Sequence, residues 1–151
     1  MATRFHHINI CSRNVDEIDR FYKDIFDLKD TSQDRQLVTN QGYNAPVLFL
    51  TDGRAEVHIA TRDLNVSFRT GQPINPVARG HFAFRTDDIE DIKRRLTERG
   101  VPFADFGTWA LAGWQQIFFH DPEGNVIEVH QVDESAAAPS PEVAALPKTQ
   151  V

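Results

Sequence analysis

Hydrophobic and polar residues alternate along much of this chain, most cleanly across Gln115 to Gln131, QQIFFHDPEGNVIEVHQ. Two alternating runs flank Asp121-Pro122-Glu123-Gly124-Asn125, where Pro presets φ and Gly and Asn tolerate positive φ, so the pattern predicts a β-hairpin. In its second strand Ile127 and Val129 point one way and Glu128 and His130 the other, because side chains alternate across a strand. The same alternation predicts strands over Arg4 to Cys11, Val47 to Thr51, Ala55 to Thr61 and Gly80 to Thr86, with shorter ones around Arg35 to Asn40 and Val101 to Phe106. Helical spacing replaces it twice. Asn14 caps a run that carries Ile18, Phe21, Tyr22, Ile25 and Phe26 and ends near Asp27. Asp87 or Asp88 caps a second run with Ile89, Ile92 and Leu96, closed by Gly100 and followed by Pro102.

These elements fall into an internal repeat of strand, helix, strands. The first half runs from about 4 to 62 and the second from about 80 to 132, within a single domain over 1–132. The polar span Asp63 to Arg79, punctuated by Gly71, Pro73 and Pro76, reads as the joint between them. The likeness extends to a tripeptide, Glu56-Val57-His58 beside Glu128-Val129-His130. Residues 133–151 are Ala- and Pro-rich and poor in bulky side chains, the composition of a disordered or surface-draped tail.

Strand parity carries the functional argument. Ile8 and Ile10, Val57 and Ile59, Phe82 and Phe84, and Ile127 and Val129 form apolar faces expected to pack on the helices, and His6 shares the Ile8 face. The opposite faces hold His7, Asn9, Glu56, His58, His81, Arg85, Glu128 and His130. A solvated sheet face more commonly shows Lys, Thr and Ser than imidazoles and carboxylates. Imidazoles and carboxylates converging in a cup are ligand types for Zn, Ni, Co, Mn or Fe(II). A single strand histidine, however, is more often a hydrogen-bonded core residue, and His6 and His130 are read that way. Trp109 and Trp114, in a Gly-flanked loop before the hairpin, are candidate walls of a substrate pocket, with Asn9, Arg85 and Gln116 as further lining candidates.

Composition narrows the partners. At 151 residues with 40% hydrophobic residues, the chain has enough apolar mass for one core. A net charge of -6 argues against a nucleic-acid backbone as partner. No apolar run approaches the roughly 20 residues of a membrane-spanning helix. Neither does the N-terminus read as a signal peptide. The lone Cys11 excludes an internal disulfide and fits a reducing cytoplasm.

Three stretches carry a resemblance: His7 to Tyr22, with a His well before a Phe-Tyr pair; GHFAFRTDDIE from Gly80; and FFHDPEGNVIEV from Phe118. Over residues 4 to 131 the chain resembles the vicinal oxygen chelate superfamily, which includes glyoxalase I, methylmalonyl-CoA epimerase, fosfomycin-resistance proteins and extradiol dioxygenases. The resemblance implies an α+β fold in which two βαβββ modules form a cupped mixed sheet around one divalent metal ion. It places ligands at His7, His81 and Glu128 and on the first module's closing strand, where His58 fits the family context better than Glu56. Glu56 is then expected inside the cup but off the metal, orienting His58 or taking a proton. Asp27 stands where the family usually has Gly.

The implied activity is that of a glyoxalase-like lyase, isomerase or epimerase on a small oxygenated substrate, through an enediolate-type intermediate with Glu128 as base. One alternative is an Fe(II) extradiol-type dioxygenase, although Phe118 and Phe119 occupy the strand where such enzymes usually carry a Tyr. Another is a drug-binding resistance protein of the bleomycin or fosfomycin type. The resemblance also favours a homodimer with shared sites, His7 and His58 from one chain and His81 and Glu128 from the other.

Overall fold

The computed structural model describes residues 2–38 and 41–137. In chain order the elements are β1 (Thr3–Ser12), α1 (Val15–Phe26), β2 (Lys29–Asp30), a single 3-10 turn (Ser32–Asp34), β3 (Val47–Thr51), β4 (Glu56–Thr61), α2 (Val66–Thr70), β5 (Gly80–Thr86), α3 (Ile89–Glu98), β6 (Phe103–Thr108), β7 (Trp114–His120), β8 (Val126–Val132) and α4 (Glu134–Ala137). All eight strands form one open mixed sheet in the order β2-β3-β4-β1-β5-β8-β7-β6. Each half is a βαβββ module whose first and last strands pair in parallel, β1 with β4 and β5 with β8. The modules meet where β1 pairs antiparallel with β5.

Local chemistry sets the element ends. The Asn14 side chain accepts from the Glu17 backbone N–H to start α1, and Asp27 closes it in the left-handed conformation at φ 54° that Asp tolerates. Asp88 caps α3 in the same way through the Asp91 N–H. At the hairpin tip Asp121 Oδ1 accepts from the N–H groups of Glu123 and Asn125, and Gly124 supplies φ 82°. At the module junction Gly80 is required by close approach: its φ is 114°, and a Cβ would stand 2.1 Å from the Asn9 carbonyl oxygen of β1.

The structure departs from the sequence reading in several places. Between Phe5 and His7 the β1–β5 register shifts by a bulge, and the extra residue turns His6 inward beside His7 and away from the Ile8 face. The joint is not an open connection. Part of it folds as α2, and Val66, Ile74 and Val77 enter the core with Tyr43, Trp109 and Phe118; local composition hides them among Gly and Pro. Because this packed joint returns β5 to the side of β1, one chain brings its two modules together by itself. Within this chain His7 and His58, expected from one protomer, lie close to His81 and Glu128, expected from the other. The strand expected around Arg35 to Asn40 is a lone bridge, Leu37 to Leu111, with Thr39 and Asn40 outside the described residues. Most of the tail, from residue 138 onward, also lies outside them.

The helices cover the sheet unequally. On α3, Ile89 and Leu96 are buried against Ile117 and Val129, with Phe84 alongside. On α1 no residue is fully buried, and Phe21, Ile25 and Phe26 are exposed, as are Phe5 and Phe82 on the central strands.

Candidate metal centre

Three donor atoms converge from β1, β5 and β8. His7 Nε2 and His81 Nε2 are 3.4 Å apart, His81 Nε2 and Glu128 Oε2 2.9 Å, and His7 Nε2 and Glu128 Oε2 3.7 Å. Donors that each sit about 2.0–2.2 Å from one ion stand about 3.0–3.5 Å from each other, so this triangle suits a single cation. The protons are arranged for it. His81 Nδ1–H donates to the Pro76 carbonyl oxygen at 2.9 Å, so Nε2 is the nitrogen turned toward Glu128, 2.9 Å from its Oε2. His7 Nδ1 lies 3.0 Å from His6 Nδ1, so one ring donates to the other there, and Nε2 is the His7 nitrogen turned inward. Two imidazole nitrogens and a carboxylate oxygen thus face one point. A divalent cation satisfies all three at once, and His7, His81 and Glu128 form a buried group able to hold one.

The other Glu128 oxygen is fixed from behind. Oε1 accepts from His130 Nδ1–H at 2.7 Å and from Gln116 Nε2–H at 3.2 Å. Arg85 Nε–H donates to His130 Nε2 at 3.2 Å. Because a guanidinium can only donate, His130 must keep its proton on Nδ1 and offer it to Glu128. Trp114 holds the imidazole in place, stacked at 4.3 Å and 25°, and Arg85 lies over the other side of the same network, 5.0 Å from the Trp114 ring centroid.

The first module is arranged differently. His58 stacks on His7 at 3.7 Å, but its Nε2–H donates to Glu56 Oε2 at 2.7 Å and does not join the triangle. Glu56 is also paired with Arg35. Burial alone would raise the Glu56 carboxyl, but the hydrogen bond and charge of His58 and the Arg35 guanidinium outweigh it and hold the group at about 2. His6 is pushed down to about 3, first by burial and then by the neighbouring His130 and Arg85 charges.

Charge at the centre has the same sense. Burial would raise Glu128, which is 1% exposed, yet His7 and the hydrogen bonds from His130 and His81 keep it well below the usual carboxylate range. His7 is held well below its usual value by burial and by His58. An ionised carboxylate beside a neutral imidazole is the protonation state that metal binding demands.

The triangle faces a pocket that His58, Asn9, Gln116, Trp109 and Trp114 also line. Arg85 is a correction: it opens instead on an adjoining polar cleft with Arg35, Gln36 and Glu134, which shares only Leu111 and Trp114 with the pocket. The residue is linked to the centre through His130. His130, read as a hydrogen-bonded core residue, is one, fully buried between Arg85 and Glu128; what that reading did not foresee is its bond to the converging carboxylate, for which parity with Glu128 was the available signal. His6 had none, because a bulge leaves no trace in the alternation.

A family model described as Glyoxalase/Bleomycin resistance protein/Dioxygenase superfamily matches residues 4–129. The chain is 24% identical over 139 residues to a protein named Glyoxylase I 4 from Arabidopsis thaliana, covering 91% of this chain and 75% of that protein. A hypothetical protein from Bacillus halodurans shares the fold with a TM-score of 0.65 at 18% identity, over 89% of this chain and 97% of that one. Streptomyces coelicolor methylmalonyl-CoA epimerase, in complex with 2-nitronate-propionyl-CoA, gives 0.64 at 20% identity, over 92% and 100%. The likeness to solved structures concerns the fold alone, whereas the family model spans both modules and all three converging residues. The chain therefore belongs to the glyoxalase/bleomycin resistance protein/dioxygenase superfamily.

Proposed function

We propose that this chain is a metal-dependent lyase, isomerase or epimerase acting on a small substrate with two adjacent oxygens. The observation that supports it is the convergence of His7 Nε2, His81 Nε2 and Glu128 Oε2 at the foot of a pocket. A divalent ion there would supply Lewis-acid polarisation of a substrate carbonyl. Glu128, on leaving the ion, would serve as general base for the proton beside that carbonyl: His130 and Gln116 restrain its Oε1, while Oε2 faces the pocket. His58 and Glu56 brace His7 from the first module, and the two Trp side chains form part of the pocket wall. In this reading Glu56 is a support for His58 and not the base.

The test is proton exchange. Incubated in heavy water with a divalent metal, the protein is expected to exchange the proton next to the carbonyl of an α-oxoaldehyde thiol adduct or a methylmalonyl-type thioester. Chelation should stop the exchange, and His81→Ala should lose both metal and exchange. The 2-His-1-carboxylate set also suits Fe(II), so oxygen uptake with a catechol and no proton exchange would favour ring cleavage. Binding of fosfomycin or bleomycin without turnover would favour drug sequestration.

The reading includes a homodimer, supported by the exposed Phe21, Ile25 and Phe26 on α1. Since the four candidate residues meet within one chain, each protomer carries a whole site. Mixing His7→Ala with Glu128→Ala chains should then restore nothing after subunit exchange, where a shared site would recover activity. A cytoplasmic setting fits the buried Cys11, whose thiol burial pushes up to about 11, and among the described residues no helix is long and apolar enough to cross a membrane.

A further inference from the structure

The pocket over the converging donors is small. It encloses about 50 Å³, room for roughly four waters, whereas sites that take small molecules usually measure about 300–1,000 Å³. Beside it lies the polar cleft, about 250 Å³ in volume. Leu111 and Trp114 face both spaces. Most of the pocket wall is strand, and Trp114 is further fixed by its stack on His130. Leu111 sits instead on the loop between β6 and β7. It is placed by a bridge between the modules, in which the Val38 N–H donates to the Ala110 carbonyl at 2.8 Å and the Ala112 N–H to the Gln36 carbonyl at 3.2 Å, so that Leu37 stands opposite Leu111. The bridge holds Ala110 at φ 60°, the left-handed region that a residue with a side chain adopts at a cost.

We propose that the Leu37–Leu111 bridge is a movable partition between pocket and cleft, and that a substrate longer than the pocket displaces it, keeping its chelating oxygens at the donors and laying its remainder in the cleft. The inference rests on the pocket being the metal-dependent site of the proposed function and adds which residues decide the length it accepts. With the partition open, the two spaces together reach the low end of the ligand-binding range. Opening is cheap. None of the four residues that make the two bridging bonds is buried, so the freed N–H and carbonyl groups pass to water, and Ala110 leaves its left-handed conformation. Leu37 is already 41% exposed. The cleft's lining of Asp34, Arg35, Gln36, Arg85 and Glu134 suits a remainder that is polar, with both donors and acceptors.

The hydrogen-bond pattern makes Leu37 and Leu111 a non-hydrogen-bonded antiparallel pair, whose Cα atoms stand about 4.5 Å apart, within the span a disulfide bridges. A chain carrying both Leu37→Cys and Leu111→Cys can therefore be locked by oxidation and released by reduction. Calorimetric titration of this full-length zinc-loaded double variant uses two chelators with one head: acetohydroxamate, which fits the pocket, and 4-carbamoylbenzohydroxamate, whose ring and amide exceed it. Oxidation should weaken the longer probe at least about tenfold, because the open state is removed, and change acetohydroxamate by less than about twofold. Reduction should restore the longer probe. Leu111→Ala reads the partition from the other side and serves where thermal melting shows the double variant unfolded: the longer probe should bind it at least about threefold more tightly than the wild type. Equal binding of the longer probe in both redox states, no binding of it by the reduced chain, or no gain in Leu111→Ala would overturn the partition alone. Failure of acetohydroxamate to bind the zinc-loaded wild type would sink the proposed function and the partition with it. Calorimetry needs no turnover, so a redox effect that persists while proton exchange fails would sink the proposed reaction and leave the partition standing.

Discussion

The same three residues, Glu-Val-His, occur on the closing strand of each module, and the structure uses them differently. In β8 Glu128 points its Oε2 at the site and His130 supports it from behind; in β4 His58 lies against His7 and Glu56 supports it. The register gives the reason. Asn9, two residues after His7, pairs with His58. Ala83, two residues after His81, pairs with Glu128. His58 is therefore the positional counterpart of Glu128, and the matching tripeptides are offset by one two-residue repeat of the strand. A two-residue shift preserves the face and changes the depth, so parity alone could not tell supporter from donor. Paired carboxylate and imidazole thus exchange roles with register, each bracing the other where it sits.

The asymmetry between modules can be tested in order of expected effect. His81→Ala or Glu128→Ala should weaken zinc binding by more than about a hundredfold, because each removes a member of the converging triangle; competition with a chromophoric chelator reads this directly. His58→Ala and Glu56→Ala should cost about tenfold by the same assay, as expected for groups behind the donors. If His58→Ala proves as damaging as His81→Ala, the first module contributes an equal donor and the asymmetry disappears.

Arg85→Met should cost about tenfold or less in zinc affinity, and imidazole nitrogen NMR should show His130 changing from one proton position to a mixture. Retention of the Nδ1–H form in that variant would show that Arg85 does not determine it. The smallest effect is on stability against pH. Folded His6 titrates at about 3 against an ordinary 6.5. It thus stays neutral in the native state, and its contribution is complete above pH 6.5 and lost as pH falls toward 3. Glu56, at about 2 against 4.5, contributes fully above pH 4.5 and loses that contribution as pH falls toward 2. Urea midpoints of the chelated protein should drop with acid first through His6, and a His6→Phe variant should flatten the curve between pH 6.5 and 4.5.

Much of this architecture was legible beforehand, for identifiable reasons. The hairpin around Gly124, the cap at Asn14 and the strand faces that present His7, His81 and Glu128 all depend on residues within a few positions of each other. So does the left-handed close of α1 at Asp27, where Asp stands in for Gly. Illegible features depend on distant partners. The bulge that admits His6 arises where β1 meets β5. Val66, Ile74 and Val77 become core only because Tyr43, Trp109 and Phe118 come to meet them. Arg85 shares a strand face with His81, but Trp114 and Leu111 separate it from the pocket.

By itself the sequence determined which residues can share a face, where the turns fall, and that imidazoles and carboxylates recur on the inner faces of two repeated modules. Those are local properties, set by the period of a strand and the φ preferences of Gly, Asn and Asp. Only the tertiary structure decided that residues of both modules converge within one chain, that Glu128 faces His7 and His81 while His58 turns to Glu56, and that Arg85 fixes the proton on His130. These depend on register between strands far apart in sequence, where a slide of two residues leaves every hydrophobic pattern intact and moves each side chain to a new neighbour.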